Sequence, residues 1–252
     1  VFRLKKACLF LILGLTFLCC ASTQNKVGRN TDKDPQYLYE KAVVAMRYDL
    51  PDQAIEYLEQ ALTLDPQHYQ SCNLLGLINF QKKNYAEAAA AYQKSLALKP
   101  DQSEVHSNLG VVYEALGEQD KAEAEYNKAV AIDGNPNACV NLAKLYYGQN
   151  KLELALGFVR EALQKKNDLA AAHNLEGVIL NQMRRYAEAL QSFQDALRLS
   201  PNDVGFKVNI GIAYINNREP DKARQILEQV LPSIQDQSLR AKVLQYLDLI
   251  KK

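Results

Sequence analysis

Residues 106–134 read HSNLGVVYEALGEQDKAEAEYNKAVAIDG, and the spacing inside this stretch decides the fold. Take Ala122 as an anchor. Gly110 stands twelve residues before it, Tyr126 four after, Ala129 seven after and Gly134 twelve after. The same pattern returns along the chain at anchors Ala54, Ala88, Ala155, Ala189 and Ala223, with successive gaps of 34, 34, 33, 34 and 34 residues. The small residue twelve before is Ala42, Gly76, Gly110, Ala143, Gly177 or Gly211. The bulky one four after is Leu58, Tyr92, Tyr126, Val159, Phe193 or Leu227. Offsets of four and seven keep side chains on one helical face. A small residue lets two helix axes approach at the short end of the ~8–10 Å range, and the bulky residue is expected to fill the space between repeats. Pro66, Pro100 and Pro201, with Gly134 and Asn167, fall where each second helix should stop.

A repeat of this period is a helix–turn–helix unit that hides its apolar face only by stacking on its neighbours. Segments such as His106–Tyr113 and Tyr186–Phe193 resemble the two helices of the tetratricopeptide motif. The likeness covers Pro35 to Gln237 in six copies. It implies an all-α, right-handed α-solenoid of six hairpins with a concave inner face along the first helices. It also implies a scaffold that binds other proteins. The one-residue deficit between the third and fourth anchors falls at Asp133-Gly134-Asn135-Pro136, a turn that can absorb it. Glu176 and Lys41 interrupt a slot that Leu75, Leu109, Leu142 and Ile210 fill elsewhere, and Leu175 is expected to take over the packing beside Glu176.

The ends differ from the repeats. Residues 1–20 open with Arg3, Lys5 and Lys6 and continue into an uncharged run from Ala7 to Ala21, the pattern of a bacterial export signal. That run is shorter than the ~20 residues a membrane-spanning helix needs. Cys20, or Cys19, stands where bacterial lipoproteins carry their acylated cysteine. Phe17 and Leu18 depart from the usual residues of that box, so ordinary cleavage after Ala21 or a retained anchor remains open. Residues 21–34 read as a polar tether. Residues 238–252 place Leu239, Val243, Leu247 and Ile250 at helical spacing, as a helix capping the last repeat would. The expected location is exported and periplasmic, with a lipid anchor in the outer membrane. Ala21-Ser22 carries no aspartate of the kind that retains some lipoproteins at the inner membrane.

Thirty basic residues against twenty-nine acidic ones leave no basic footprint for nucleic acid. Signal, tether, repeats and cap account for the whole chain, which leaves no segment for a catalytic domain. No catalytic residue, metal site, cofactor or small-molecule substrate is expected. His106 and His173 occupy one slot in alternate repeats, and Cys72 and Cys139 fill it in the others. Two repeats exceed the ~7 Å Cα limit of a Cys–Cys bridge and exceed metal-ligand reach. All four read as packing residues. Carboxylates such as Glu123, Glu125, Glu153 and Glu161 read as solvated helix surface.

The first helices should turn one face to a partner. In order along the chain that face offers Tyr39, Val43 and Arg47, then Asn73, Leu77 and Phe80, then Ser107, Asn108 and Val111. Asn141, Lys144 and Tyr147 follow, then Asn174, Val178 and Asn181, and finally Asn209, Ile212 and Ile215. Asn108, Asn141 and Asn209 stand two residues before the small residue of their repeats, and Asn73 and Asn174 stand three before. A carboxamide both donates and accepts, which suits holding the backbone of an extended peptide. Some superhelical tetratricopeptide proteins line their groove with such a ladder; the alternative is that these residues bond neighbouring helices. Family members that grip C-terminal carboxylates repeat Lys and Arg on this face, whereas here only Arg47 and Lys144 qualify. The lining suits an amphipathic helix or an apolar extended segment.

Signal, acylation candidate, tether and six repeats together resemble the outer-membrane lipoprotein pilotins, which help the secretin of type IV pilus systems to assemble. An assembly factor for another envelope or secretion machine fits the same features, and an enzyme with an unrecognised site is the third reading.

Overall fold

The computed structural model describes residues 33–250. Among them every regular element is helical. Twelve helices pair as hairpins: α1 (Pro35–Arg47) with α2 (Pro51–Leu64), α3 (Tyr69–Gln81) with α4 (Tyr85–Leu98), and α5 (Ser103–Ala115) with α6 (Gln119–Asp133). The series continues with α7 (Pro136–Gly148) and α8 (Leu152–Lys165), α9 (Ala170–Gln182) and α10 (Tyr186–Leu199), and α11 (Val204–Asn216) and α12 (Pro220–Val230). A short 3₁₀ turn and α13 (Gln237–Leu249) follow. The chain divides into two compact units between Leu74 and Leu75, inside α3. The export signal and acylation site expected at residues 1–20 and most of the tether lie outside the described residues.

Every hairpin turns the same way. Three residues after each first helix's small residue, a carbonyl accepts from the N–H five residues on: Leu50 to Ala45, Asn84 to Asn79, Glu118 to Tyr113, Lys151 to Tyr146, Arg185 to Leu180 and Glu219 to Tyr214. This bond needs one left-handed residue in the turn. Those residues are Asp49, Lys83, Gly117, Asn150, Arg184 and Arg218, with φ between 57° and 79°. Only the third hairpin uses glycine there.

Within each hairpin the small residue and the bulky one sixteen positions later face each other. A β-carbon added to Gly76 would stand 2.7 Å from the Tyr92 ring, and one on Gly177 would stand 2.6 Å from the Phe193 ring. The bulky residue therefore rests on the glycine of its own hairpin, and the Tyr126 hydroxyl also reaches Asn141 of the next repeat. Ala42 and Ala143 take the same place in the first and fourth hairpins, where the residues sixteen positions on are the smaller Leu58 and Val159, all four fully buried.

From Leu75 onward each hairpin packs its first helix on the second helix of the one before: α4 on α5, α6 on α7, α8 on α9 and α10 on α11. The short third repeat is accommodated at the turn. α6 ends at Asp133, Gly134 adopts a left-handed conformation, and the Asn135 side chain caps α7 by accepting from Asn137 N and Ala138 N, both at 3.1 Å. Two linking residues thus replace the four that precede α5, α9 and α11. At the far end Val243 and Leu247 of α13 join Val208, Leu227, Val230 and Ile234 in a separate apolar cluster that closes the sixth hairpin.

Glu176 keeps its place in the aliphatic slot by acquiring partners. Its carboxylate accepts from Arg160 Nε at 2.8 Å and from Ser192 Oγ at 3.0 Å, while Leu175 packs against the core. A half-buried carboxylate without such donors would be costly.

Candidate partner-binding face

The first-helix residues expected to meet a partner fall into three groups. Leu77, Arg47 and Lys144 are exposed. Tyr39, Phe80, Val111, Tyr147, Val178, Ile212 and Ile215 are half-buried, so each offers one side outward. Ser107 is 4% exposed and does not line the face, because one step along α5 turns it into the interior beside His106. Tyr39, Val43, Arg47 and Asn73 belong to the compact unit ending at Leu74; the rest of the set lies beyond it.

The asparagines are partly spoken for. Asn209 Nδ2 donates to Asn174 Oδ1 at 2.8 Å, and Asn216 Nδ2 donates to Asn181 Oδ1 at 3.0 Å. These two rungs join α9 to α11 and lie seven residues, or two helical turns, apart on both helices. The one-position slip between Asn174 and Asn209 in their repeats is what lets them meet, since partners are 35 residues apart and not 34. Asn216 was not expected on this face; its signal is that same interval from Asn181. Each rung spends one acceptor and one N–H, which leaves the outer carbonyl of Asn209 or Asn216 and the amide hydrogens of Asn174 or Asn181 for a ligand. Asn141 lies against the Tyr126 hydroxyl, which donates to Glu114 Oε2 at 2.8 Å. Burial first, then Glu114, holds that phenol far above its usual range, with Asn141 opposing. Asn108 is half-buried on α5.

Two expectations about titratable groups are revised. Glu125 does not belong to solvated surface: it is 9% exposed and takes a hydrogen bond from His106 Nδ1 at 2.6 Å and one from Lys128 Nζ at 2.7 Å. The other His106 nitrogen lies 3.1 Å from the Pro100 carbonyl. His106 is thus a buried polar tie between α5, α6 and the link before α5, where the sequence suggested plain packing. His173, in the same slot, is half-buried and donates to the Asn167 carbonyl at 2.9 Å. Cys72 and Cys139 are buried, and burial, then Glu161, pushes the Cys139 thiol up to about 12. Among the described residues no cluster of His, Cys, Asp and Glu could hold a metal ion, and no helix is long and apolar enough to cross a membrane.

Six hairpins with one turn geometry, one pairing of a small with a bulky residue and a pitch of 33 or 34 residues leave little room for another assignment. Family models of the tetratricopeptide repeat match residues 39–103 and 140–204, and a second set matches 79–136 and 180–245. The chain belongs to the tetratricopeptide-repeat family. Repeats of this kind form protein-binding scaffolds. Among curated proteins this tetratricopeptide-repeat chain is similar to the type IV pilus assembly protein PilF of Pseudomonas aeruginosa, 30% identical over 154 residues, or 60% of this chain and 61% of PilF. It is also 25% identical over 179 residues to the human protein O-mannosyl-transferase TMTC3, covering 65% of this chain. It therefore spans less than two thirds of PilF and a fifth of TMTC3. Among solved structures, that of PilW, a widely conserved type IV pilus biogenesis factor, superposes with a TM-score of 0.73 at 18% identity, over 83% of this chain and 98% of PilW. At that identity the likeness speaks for the fold alone.

Proposed function

We propose that this chain is a non-catalytic scaffold of the bacterial cell envelope that assists assembly of a type IV pilus secretin. It holds an extended or amphipathic segment of that partner along the first helices from Leu77 onward. The observation that carries this reading is the 30% identity to PilF across 154 residues. The lining supports it: half-buried Val111, Tyr147, Val178 and Ile212 offer apolar surface, and the two asparagine rungs offer carbonyls and amide hydrogens for a bound backbone. An apolar secretin segment docked there would be kept from aggregating before it reaches its membrane. Acylation at Cys20, or Cys19, would hold the complex at the outer membrane.

The test is a photo-crosslinking amino acid placed at Tyr147 or Asn181 in cells, followed by identification of whatever is captured. A secretin captured at both positions supports the proposal. Capture of components of another envelope machine would replace it with the assembly-factor reading, and capture of nothing would remove the face from consideration. Mass measurement of the mature N-terminus decides the anchor separately: acyl chains on a cysteine support it, and an unmodified Ser22 excludes it.

A further inference from the structure

One side of the first hairpin, formed by α1 with the adjoining turn and Tyr57 of α2, lacks the cover that its counterparts have. In the later hairpins the positions equivalent to Val44 include Val112 and Ile179, both fully buried on helices that pack against the preceding α4 and α8, while Leu145 is half-buried. The positions equivalent to Tyr37 include Ala138 and Ala172, also fully buried. No helix precedes α1 among the described residues, and Val44 is 48% exposed. Around it Tyr37, Lys41, Tyr48, Leu50 and Tyr57 line a depression of about 410 Å³. Tyr48 is 75% exposed and Leu50 48%. Lys41 Nζ lies 5.3 Å from the Tyr37 ring centroid and 4.8 Å from that of Tyr57.

We propose that this α1 face docks on the interfacial layer of a lipid bilayer. The inference rests on the reading that the chain ahead of α1 engages a membrane. Two observations select a bilayer over a protein partner. The first is where the chain leads: the apolar run and both acylation candidates stand immediately ahead of the helix that bears the patch. Cys20 is fifteen residues from Pro35, a tether of at most about 50 Å at ~3.3–3.6 Å per residue. α1 itself is only about 20 Å long at 1.5 Å per residue. Any anchor there holds the patch within reach of headgroups throughout the lifetime of the anchored state. The second is the chemistry. Tyrosines with an apolar ring and a polar tip settle at the headgroup level. The Lys41 ammonium, held against two such rings, places a positive charge in the same patch. Val44 and Leu50 supply the aliphatic surface between them. The anchor confines the protein, and the patch would fix which side faces the lipid.

The chain contains no tryptophan, so a single one reports its own surroundings. The full chain carrying Tyr48→Trp is mixed with phosphatidylethanolamine–phosphatidylglycerol vesicles whose acyl chains are brominated near the headgroup, and vesicle-bound protein is recovered by flotation. Leu154→Trp, exposed on α8, is the control. The expected result is co-flotation of both proteins, with emission of the Tyr48→Trp reporter shifted to the blue and quenched by bromine, and the Leu154→Trp reporter unchanged. Adding Val44→Glu and Leu50→Glu to the Tyr48→Trp protein should abolish shift and quenching while flotation persists. Flotation without quenching overturns the inference and leaves the anchor reading standing. Absence of flotation overturns both. A blue shift that grows with protein concentration without vesicles identifies a second copy as the occupant and overturns the bilayer.

Discussion

The ring of Tyr126 occupies the space that a β-carbon on Gly110 would need: such an atom would stand 2.5 Å from Tyr126 Cε1. The relationship recurs at Gly76 with Tyr92, Gly177 with Phe193 and Gly211 with Leu227. Where the helix carries alanine instead, the residue sixteen positions on is Leu58 or Val159. The pair, and not either residue alone, is the unit that closes each hairpin. Van der Waals contact of a flat ring with a helix backbone replaces a methyl-on-methyl contact, and the interior stays close-packed.

Gly110→Ala should therefore destabilise the protein by about 1–3 kcal/mol, since extra volume in a filled interior forces rotamers and backbone aside. Urea unfolding followed by circular dichroism reads the cost. Combining Gly110→Ala with Tyr126→Val reproduces the Ala143–Val159 pair and should recover part of the loss. An unchanged midpoint for Gly110→Ala alone would refute the paired reading.

Three hairpin turns hold a basic residue at positive φ: Lys83, Arg184 and Arg218. An L side chain in that conformation costs about 1–2 kcal/mol, from which glycine is exempt although it loses more entropy on folding. Arg184→Gly is expected to raise stability by about 0.5–1 kcal/mol. Gly117→Arg should lower it by a similar amount. Both follow from thermal or urea unfolding. A loss of stability in Arg184→Gly together with a gain in Gly117→Arg would mean that side-chain contacts, not φ, set the preference.

The repeat was legible because it is written in small and large residues at a fixed interval, and burial follows size. The anchors Ala54, Ala88, Ala122, Ala155, Ala189 and Ala223 are all fully buried. The left-handed turn residue was not legible, because Asp, Lys, Gly, Asn and Arg share that position and only the backbone unites them. The interaction of Glu125 with His106 was hidden for a related reason: nineteen residues separate the partners, and each resembles an ordinary surface residue taken alone. On the partner-binding face, residue type was readable while its use was not. Asn174 and Asn209 looked equally available to a ligand until their mutual bond was seen.

The His106–Glu125 pair is a buried polar tie whose members depend on each other. Removing one leaves the other's polar atoms desolvated, at about 1–3 kcal/mol, whereas replacing both with apolar groups of similar shape can be nearly neutral. Glu125→Ala and His106→Ala should each lower stability within that range. The His106→Leu, Glu125→Met double variant should lose clearly less than the sum. Additive losses in a chemical-denaturation cycle would show that the bond contributes nothing specific.

Cys139 has a thiol raised to about 12, chiefly by burial. The thiolate is the nucleophile. A pKa above the solution pH leaves almost none of it at pH 8, and reactivity should climb as pH approaches that value. Alkylation of Cys139 in the native protein, followed by peptide mass spectrometry, is expected to be far slower than that of an exposed thiol. It should accelerate at the urea concentration that unfolds the hairpins. Rapid native labelling at pH 8 would mean that α7 opens locally.

The asparagine rungs separate support from recognition. If the bond from Asn209 to Asn174 serves the packing of α9 against α11, a double-alanine cycle should return a coupling of about 0.5–1.5 kcal/mol in stability, the usual net worth of an internal hydrogen bond. Asn108→Ala breaks no rung between α9 and α11, so its stability should change less than that of Asn174→Ala. Partner capture offers the complementary reading, because an amide hydrogen or carbonyl that holds a bound backbone is lost with its side chain. Asn108→Ala should weaken capture at Tyr147 while leaving the unfolding midpoint near that of the parent. Asn174→Ala should move both. A variant set in which capture never changes apart from stability would make every asparagine on this face a structural brace and leave the apolar side chains alone to hold the partner.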